Sequence, residues 1–176
     1  MQARREGKRM KRFFGIVFLC LVAGLVIANL ITNVKPVSAA LTSSSATSYQ
    51  NMARQEAAAA GIPPDLFVNQ INQESGFNPN ARGGSGEIGI AQFMPETAKG
   101  LGIDPADPRQ ALHAAAQLMA RYYQANGKDY AKALAGYNCG GGCLAHALSV
   151  GGEQWGCQIP QSTQRYIWLI MSRRVC

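Results

Sequence analysis

The segment Gly61-Ile62-Pro63-Pro64-Asp65-Leu66-Phe67-Val68-Asn69-Gln70-Ile71-Asn72-Gln73-Glu74-Ser75-Gly76-Phe77-Asn78-Pro79 reads as a short helix with both of its ends written into the chain. Gly61 stops the helix expected before it over Tyr49–Ala60, as glycine does at a helix C-terminus. Pro63-Pro64-Asp65 then opens the next helix where a missing N–H does least harm. Leu66, Phe67, Gln70, Ile71 and Glu74 recur at intervals of three and four, on or near one face. An apolar stripe therefore ends on a single carboxylic acid.

Helical punctuation continues downstream. Asp107 is an N-cap, Pro108 a first helical residue, and Gly127 after Asn126 a terminator. Between them Ala111, Leu112, Ala115, Leu118, Met119 and Tyr122 form one stripe, which reads as core. Asp129 starts a shorter helix through Ala133, Leu134 and Tyr137, and Gln161 to Arg173 carries Tyr166, Ile167 and Ile170 as a last one. Between Gly83 and Phe93 the glycines leave room only for a small hairpin or an irregular loop. The expected fold class is mostly α with a small β element. Residues 49–176, roughly 130 of them, are enough for one domain with one core.

The chain carries a formal charge of +7, but Arg4, Arg5, Lys8, Arg9, Lys11 and Arg12, less Glu6, hold +5 of it. A basic run can be a nucleic-acid arm. Here an apolar stretch follows at once, so the charge reads as membrane topology, with no nucleic-acid partner expected. Residues 1–12 are expected to be a basic cytoplasmic tail. Residues 13–31 would span roughly 28 Å as a helix, enough for a transmembrane anchor. Val37-Ser38-Ala39 also offers the small residues of a cleavage site, so anchor and cleaved signal both stay open, with length favouring the anchor. Cys20 reads as an apolar side chain within that stretch. Residues 32–48, rich in Ser, Thr and Ala, are expected to be a linker. In either case the domain lies outside the cytoplasmic membrane, in the periplasm or extracellular space, tethered or secreted after cleavage near Ala39.

Outside the cytoplasm, Cys139, Cys143, Cys157 and Cys176 are disulfide candidates. Three pairings exist; Cys139 with Cys143 and Cys157 with Cys176 is preferred, pinning a glycine-rich loop and the last helix. A zinc site is not expected, because Cys139-Gly-Gly-Gly-Cys143 lacks a second close pair and His113 and His146 lack ligand spacing. No metal or cofactor enters the expectation.

Near a helix C-terminus Glu74 feels the negative end of the helix dipole, and Phe67, Ile71 and Phe77 surround it with apolar surface. Both effects favour the protonated form. Later in the chain stand Gly89-Ile90-Ala91-Gln92 with Phe93-Met94-Pro95, and Gly136-Tyr137-Asn138. Together with Glu74-Ser75, these three ordered motifs resemble those of the soluble lytic transglycosylases, enzymes of goose-type lysozyme-like fold that cleave peptidoglycan. The resemblance covers roughly Gln50 to Arg173. It implies Glu74 as the catalytic acid and base, with Gln92, Tyr137 and Asn138 lining a saccharide cleft; Phe93 belongs to the second motif and Tyr166 resembles a later cleft tyrosine. Ser75 is expected to orient the carboxyl or to end the helix. Two departures stand out: the family's Gly-Leu-Met-Gln is Gly-Ile-Ala-Gln here, and its Ala-Tyr-Asn-Ala is Gly136-Tyr137-Asn138-Cys139.

The implied reaction cuts the bond between N-acetylmuramic acid and N-acetylglucosamine and closes the muramic C6 hydroxyl onto C1, giving a 1,6-anhydro end. Two-carboxylate glycosidases need a second acid. Glu87, Glu96 and Asp104 are the nearby candidates, each read as a solvated loop or helix-start charge. Trp155 and Trp168 are expected to pack in core or loops. The implied partners are peptidoglycan glycan strands, the membrane through the N-terminal segment, and an envelope-spanning secretion or conjugation apparatus. The alternatives are a muramidase that cuts the same bond with water, and a non-catalytic wall-binding component of such an apparatus.

Overall fold

The computed structural model of the protein describes residues 37–176, so the basic tail, the apolar stretch and the linker residues up to 36 lie outside the described residues. Seven α-helices are described: α1 (Val37–Ala60), α2 (Pro64–Ser75), α3 (Pro95–Leu101), α4 (Pro108–Ala125), α5 (Tyr130–Asn138), α6 (Gly141–Gly151) and α7 (Gln161–Met171). A 3-10 helix, Gly152–Gln158, joins the last two. Among the described residues β structure is confined to two antiparallel bridges, Arg82 with Ile88 and Ile88 with Phe93. The mostly helical class with a minor β element is what the sequence pattern implies. No helix among the described residues is long and apolar enough to cross a membrane.

Local capping explains the helix ends. The Asp107 carboxylate accepts from the backbone N–H of Arg109 and Gln110, and Asp129 accepts from Ala131. These bonds satisfy N–H groups that have no partner within the helix. Helix α2 closes on Gly76, left-handed at φ 60°, whose N–H bonds to the Asn72 carbonyl. Three departures need physical reasons. Residues 37–48, expected as linker, are helical, because no glycine or proline interrupts the chain between Val37 and Ala60. Helix α3 is a two-turn element started by Pro95, too short to show a periodic pattern. Helix α6 begins inside the glycine run 140–142, which reads as loop but is braced across its first turn by the Cys139–Cys143 disulfide. That bridge therefore joins α5 to α6 and does not pin a free loop. The second disulfide, Cys157–Cys176, ties the tail after α7 to the 3-10 helix.

One core unites the elements. Ala53 and Ala57 of α1, Phe67 and Ile71 of α2, Leu112 and Met119 of α4, Leu134 of α5 and Ile167 of α7 are all fully buried. Each of the larger side chains contributes about 1.5–3 kcal/mol by leaving water. Gln70 lies in the apolar stripe of α2 and is also fully buried, its Oε1 accepting from the Tyr130 hydroxyl at 3.2 Å. Helix α7 packs against both α2 and α5. Its inward residues can thus reach the end of α2 and the end of α5 together.

Candidate active site

Glu74 occupies the last turn of α2, and the chain leaves that turn through two successive left-handed residues, Gly76 at φ 60° and Phe77 at φ 62°. A left-handed phenylalanine costs about 1–2 kcal/mol, offset here by burial of its ring in the core. Ser75 sits beside the acid, but its hydroxyl does not bond the carboxyl. It donates to the Ile90 carbonyl at 2.7 Å.

That bond anchors the second motif. Ile88 and Phe93 exchange backbone hydrogen bonds of 2.9 and 3.1 Å, closing Gly89-Ile90-Ala91-Gln92 into a four-residue turn. Gly89 is left-handed at φ 78°, and any side chain there would collide with the Pro105 carbonyl. Ile90 and Ala91 are fully buried. Their carbonyls would be costly without partners; Ser75 satisfies the first and the Tyr137 hydroxyl satisfies the second at 2.8 Å. Gln92 is a second non-glycine residue held left-handed, at φ 51°, with its Nε2 donating to the Gly89 carbonyl at 2.7 Å.

The third segment arrives with α5. Tyr137 reaches across to the turn and lies against Phe93, ring centres 5.9 Å apart. Asn138, the last residue of α5, accepts through Oδ1 from the Thr163 hydroxyl at 2.9 Å. One turn further along α7, the Tyr166 hydroxyl donates to the Glu74 carboxylate. Thr163 and Tyr166, three residues apart and both buried, thereby hold one residue of the first motif and one of the third.

A cavity of about 130 Å³ is lined by Glu74, Glu87, Gln92, Phe93, Met94, Thr97, Leu118, Tyr137 and Asn138. The sequence-derived candidates Glu74, Gln92, Phe93, Tyr137 and Asn138 are thus brought together. Tyr166 acts from behind Glu74, and Ser75 is engaged with the turn. Glu87, read from sequence as a solvated loop charge, lines the same cavity, its carboxylate also accepting from the Ser85 N–H at 3.0 Å. Thr163, Met94 and Thr97 carry no sequence signal of their own as site residues, and Leu118, read as part of the core stripe of α4, is half-buried and borders the cavity. Only the spacing of Thr163 and Tyr166 on one helical face points to Thr163.

Electrostatics follow from this packing. The Glu74 carboxyl is pushed up from 4.5 to about 7, chiefly by burial; the Tyr166 hydrogen bond opposes the rise and the Glu87 charge adds to it. Desolvation penalises the ionised form more than one phenol can compensate. Burial, and then the Glu74 charge, raise both Tyr137 and Tyr166 well above the ordinary phenol value. Both therefore remain neutral donors. Among the described residues no cluster of His, Cys, Asp and Glu could hold a metal ion. His113 instead meets Glu56 at 2.8 Å.

A half-buried acid that keeps its proton near neutrality, beside a cleft lined with amides and aromatic rings, can protonate a leaving oxygen. Comparisons with known proteins bear on what that oxygen belongs to. The family model described as the transglycosylase SLT domain matches residues 51–154. The chain is 33% identical over 106 residues to peptidoglycan transglycosylase gp16 of Escherichia phage T7, covering 56% of this chain and 8% of that protein. It is 32% identical over 106 residues to membrane-bound lytic murein transglycosylase F 2 of Alkalilimnicola ehrlichii, covering 56% of this chain and 24% of that protein. These relatives are several times longer than the matched region. In fold the protein is similar to an inactive mutant of the lytic transglycosylase Slt from Pseudomonas aeruginosa, with a TM-score of 0.60 and 23% identity over 69% of this chain and 22% of that one.

Proposed function

The chain belongs to the transglycosylase SLT domain family, and from that premise we propose that it is a peptidoglycan lytic transglycosylase with Glu74 as its acid and base. The observation that carries the proposal is the burial of the Glu74 carboxyl at the cleft beside Gln92, Tyr137 and Asn138, which raises its hold on a proton. A carboxyl at about 7 keeps its proton on roughly half of the molecules at neutral pH, where an ordinary carboxyl keeps almost none, and protonated is the state a general acid must be in before it acts.

Glu74 donates its proton to the glycosidic oxygen between N-acetylmuramic acid and N-acetylglucosamine as the bond from that oxygen to C1 breaks. The carboxylate then accepts the proton of the muramic C6 hydroxyl while O6 bonds to C1. Glu74 ends protonated, and no water is consumed. Tyr166 keeps the carboxyl aimed and stabilises its ionised state midway through the reaction, since its hydrogen bond favours the anion. Gln92 and Asn138 offer amide groups suited to acetamido and hydroxyl groups of the sugar, and Tyr137 and Phe93 form an aromatic wall. Ser75 and Tyr137 hold the turn that carries Gln92.

Glu87 gives one specific reason to weigh a second reading. A carboxylate in the same cleft as the acid is what a hydrolase needs to direct water. The two outcomes leave different ends. Mass spectrometry of sacculi digested by the wild type and by Glu74→Gln is expected to show anhydro-muropeptides with the first and none with the second. Reducing ends from the wild type would assign the muramidase reaction instead.

The same reading places the domain outside the cytoplasmic membrane, as an envelope enzyme tethered by residues 13–31 or released from them. Two disulfides in one small domain support an oxidising compartment. The domain division at residues 12, 31 and 48, with helix α1 running through the last of these boundaries, and a role in opening the wall for an envelope-spanning apparatus or for phage passage, belong to this proposal.

A further inference from the structure

A second cavity, of about 360 Å³, lies on the face of α7 opposite Thr163 and Tyr166. Gln161, Gln164, Arg165 and Trp168 form one wall, and the tail from Arg174 to Cys176 forms the other. The tail is held in place twice. Cys176 is bonded to Cys157, and Val175 lies so close over buried Gly156 that any side chain at 156 would strike the Val175 carbonyl.

Its charged lining side chains, Arg165 and Arg174, are both cationic, with the α-carboxylate of Cys176 in the same wall. From Gln154 to Cys176 the chain has three arginines and no Asp or Glu. Arg173 lies 3.8 Å from Asp129, whereas Arg165 and Arg174 have no carboxylate within ion-pair distance among the described residues. Trp168, expected to pack away, is 48% exposed, while Trp155 is 6% exposed. Two free guanidinium groups match carboxylates in geometry as well as charge. Gln161 can pair with acetamido or peptide groups, Gln164 keeps its carbonyl oxygen for a ligand while its Nε2 donates to the Ile159 carbonyl at 3.1 Å, and an exposed indole offers a flat apolar face to a pyranose ring. A bilayer surface would use the charges but leave the amide of Gln161 idle.

We infer that this pocket is an accessory site for a carboxylate-bearing sugar–peptide unit of the cell wall, separate from the cleft. The choice of ligand rests on the reading of the protein as a wall enzyme. One helix then presents the tyrosine that holds Glu74 on one side and a strand-holding site on the other, so the enzyme keeps hold of peptidoglycan between cuts.

The test uses the full chain carrying Glu74→Gln, so that no probe is consumed, and follows tryptophan emission, in which Trp168 is the exposed reporter. The probe is soluble N-acetylglucosaminyl-N-acetylmuramyl tetrapeptide; chitotetraose, which has no carboxylate, and phosphatidylglycerol vesicles are the comparisons. The disaccharide peptide is expected to give a saturable change, and Arg165→Gln with Arg174→Gln to weaken it about tenfold or more. Gly156→Ala, which displaces the tail, is expected to weaken it as well, and neither change is expected to abolish sacculus lysis when Glu74 is intact. An equal response to chitotetraose, a response to vesicles alone, or indifference to the arginine pair would overturn the inference. Lysis by the unmutated chain reports the cleft independently. A silent pocket on an active enzyme sinks this inference alone, and a responsive pocket on an inactive one sinks the catalytic reading alone.

Discussion

Replacing Glu74 by glutamine removes a group that holds its proton far more tightly in the folded chain than in the unfolded one. The folded carboxyl sits at about 7 against an ordinary 4.5, and burial is the largest cause. Below the ordinary value the group is protonated in both states and its burial carries no ionic penalty. As pH rises through the window, the unfolded chain ionises freely while the folded chain must retain the proton or bury a charge. Stability present at low pH is therefore lost progressively up to about 7, and the gap between the two values corresponds to roughly 3 kcal/mol. Small domains hold only about 5–15 kcal/mol in total, so the acid is a large liability kept in place. Glutamine has the same shape and no such titration. Urea unfolding of wild type and Glu74→Gln, at about pH 4 and about pH 8, should show the variant gaining roughly 3 kcal/mol relative to wild type across that interval. It should at the same time lose wall lysis. A stability difference that stays constant with pH would refute the burial argument, and with it the reason given for the proton on Glu74.

The neighbours of the acid should move its titration in opposite directions. Tyr166→Phe removes the hydrogen bond that favours the anion, so the alkaline limb of the lysis–pH profile is expected to rise by about one on the pH scale, with a lower rate at neutrality. Glu87→Gln removes a like charge and should shift the same limb downward by a smaller amount, with anhydro products retained. The two disulfides should differ in worth because they close loops of different length, separations of 4 and 19 residues. Serine replacement of the Cys139–Cys143 pair is expected to cost about 2 kcal/mol and of the Cys157–Cys176 pair about 3 kcal/mol, read by denaturant unfolding.

Features set within a few residues were legible in the sequence. The Asp107 and Asp129 caps, the proline start of α2 and the buried stripe of α4 depend on neighbours one to four positions away. The position of Glu74 at a helix end follows from the same local signals. What sequence could not supply is the partner of each hydroxyl. Ser75 is drawn from the acid to Ile90, Tyr137 spans 46 residues to Ala91, and Tyr166 spans 92 residues to Glu74. The first two depend on where the 88–93 turn lies between the ends of α2 and α5, and the third on how α7 packs against both helices. Helix α6 was hidden for a different reason: glycines weaken a helix locally, and a cross-link between residues four apart restores what they lose. Glu87 reads as an ordinary loop charge until the turn it precedes folds back over the cleft.

Most polar residues of the three motifs therefore act on the backbone before they act on any sugar. Two buried carbonyls of one turn must find donors, and the donors come from either side of the cleft, Ser75 from α2 and Tyr137 from α5. Loss of either bond would free a buried carbonyl at a cost of about 1–3 kcal/mol, and would loosen the turn that aims Gln92. The same closure that satisfies those carbonyls excludes water from around Glu74, and exclusion of water is the largest cause of its raised proton affinity. Scaffold and acidity are thus one device. A variant that keeps Glu74 and Tyr166 but opens the turn should lose lysis at neutral pH because its acid ionises, and should recover part of it in more acidic solution, where even an exposed carboxyl keeps its proton.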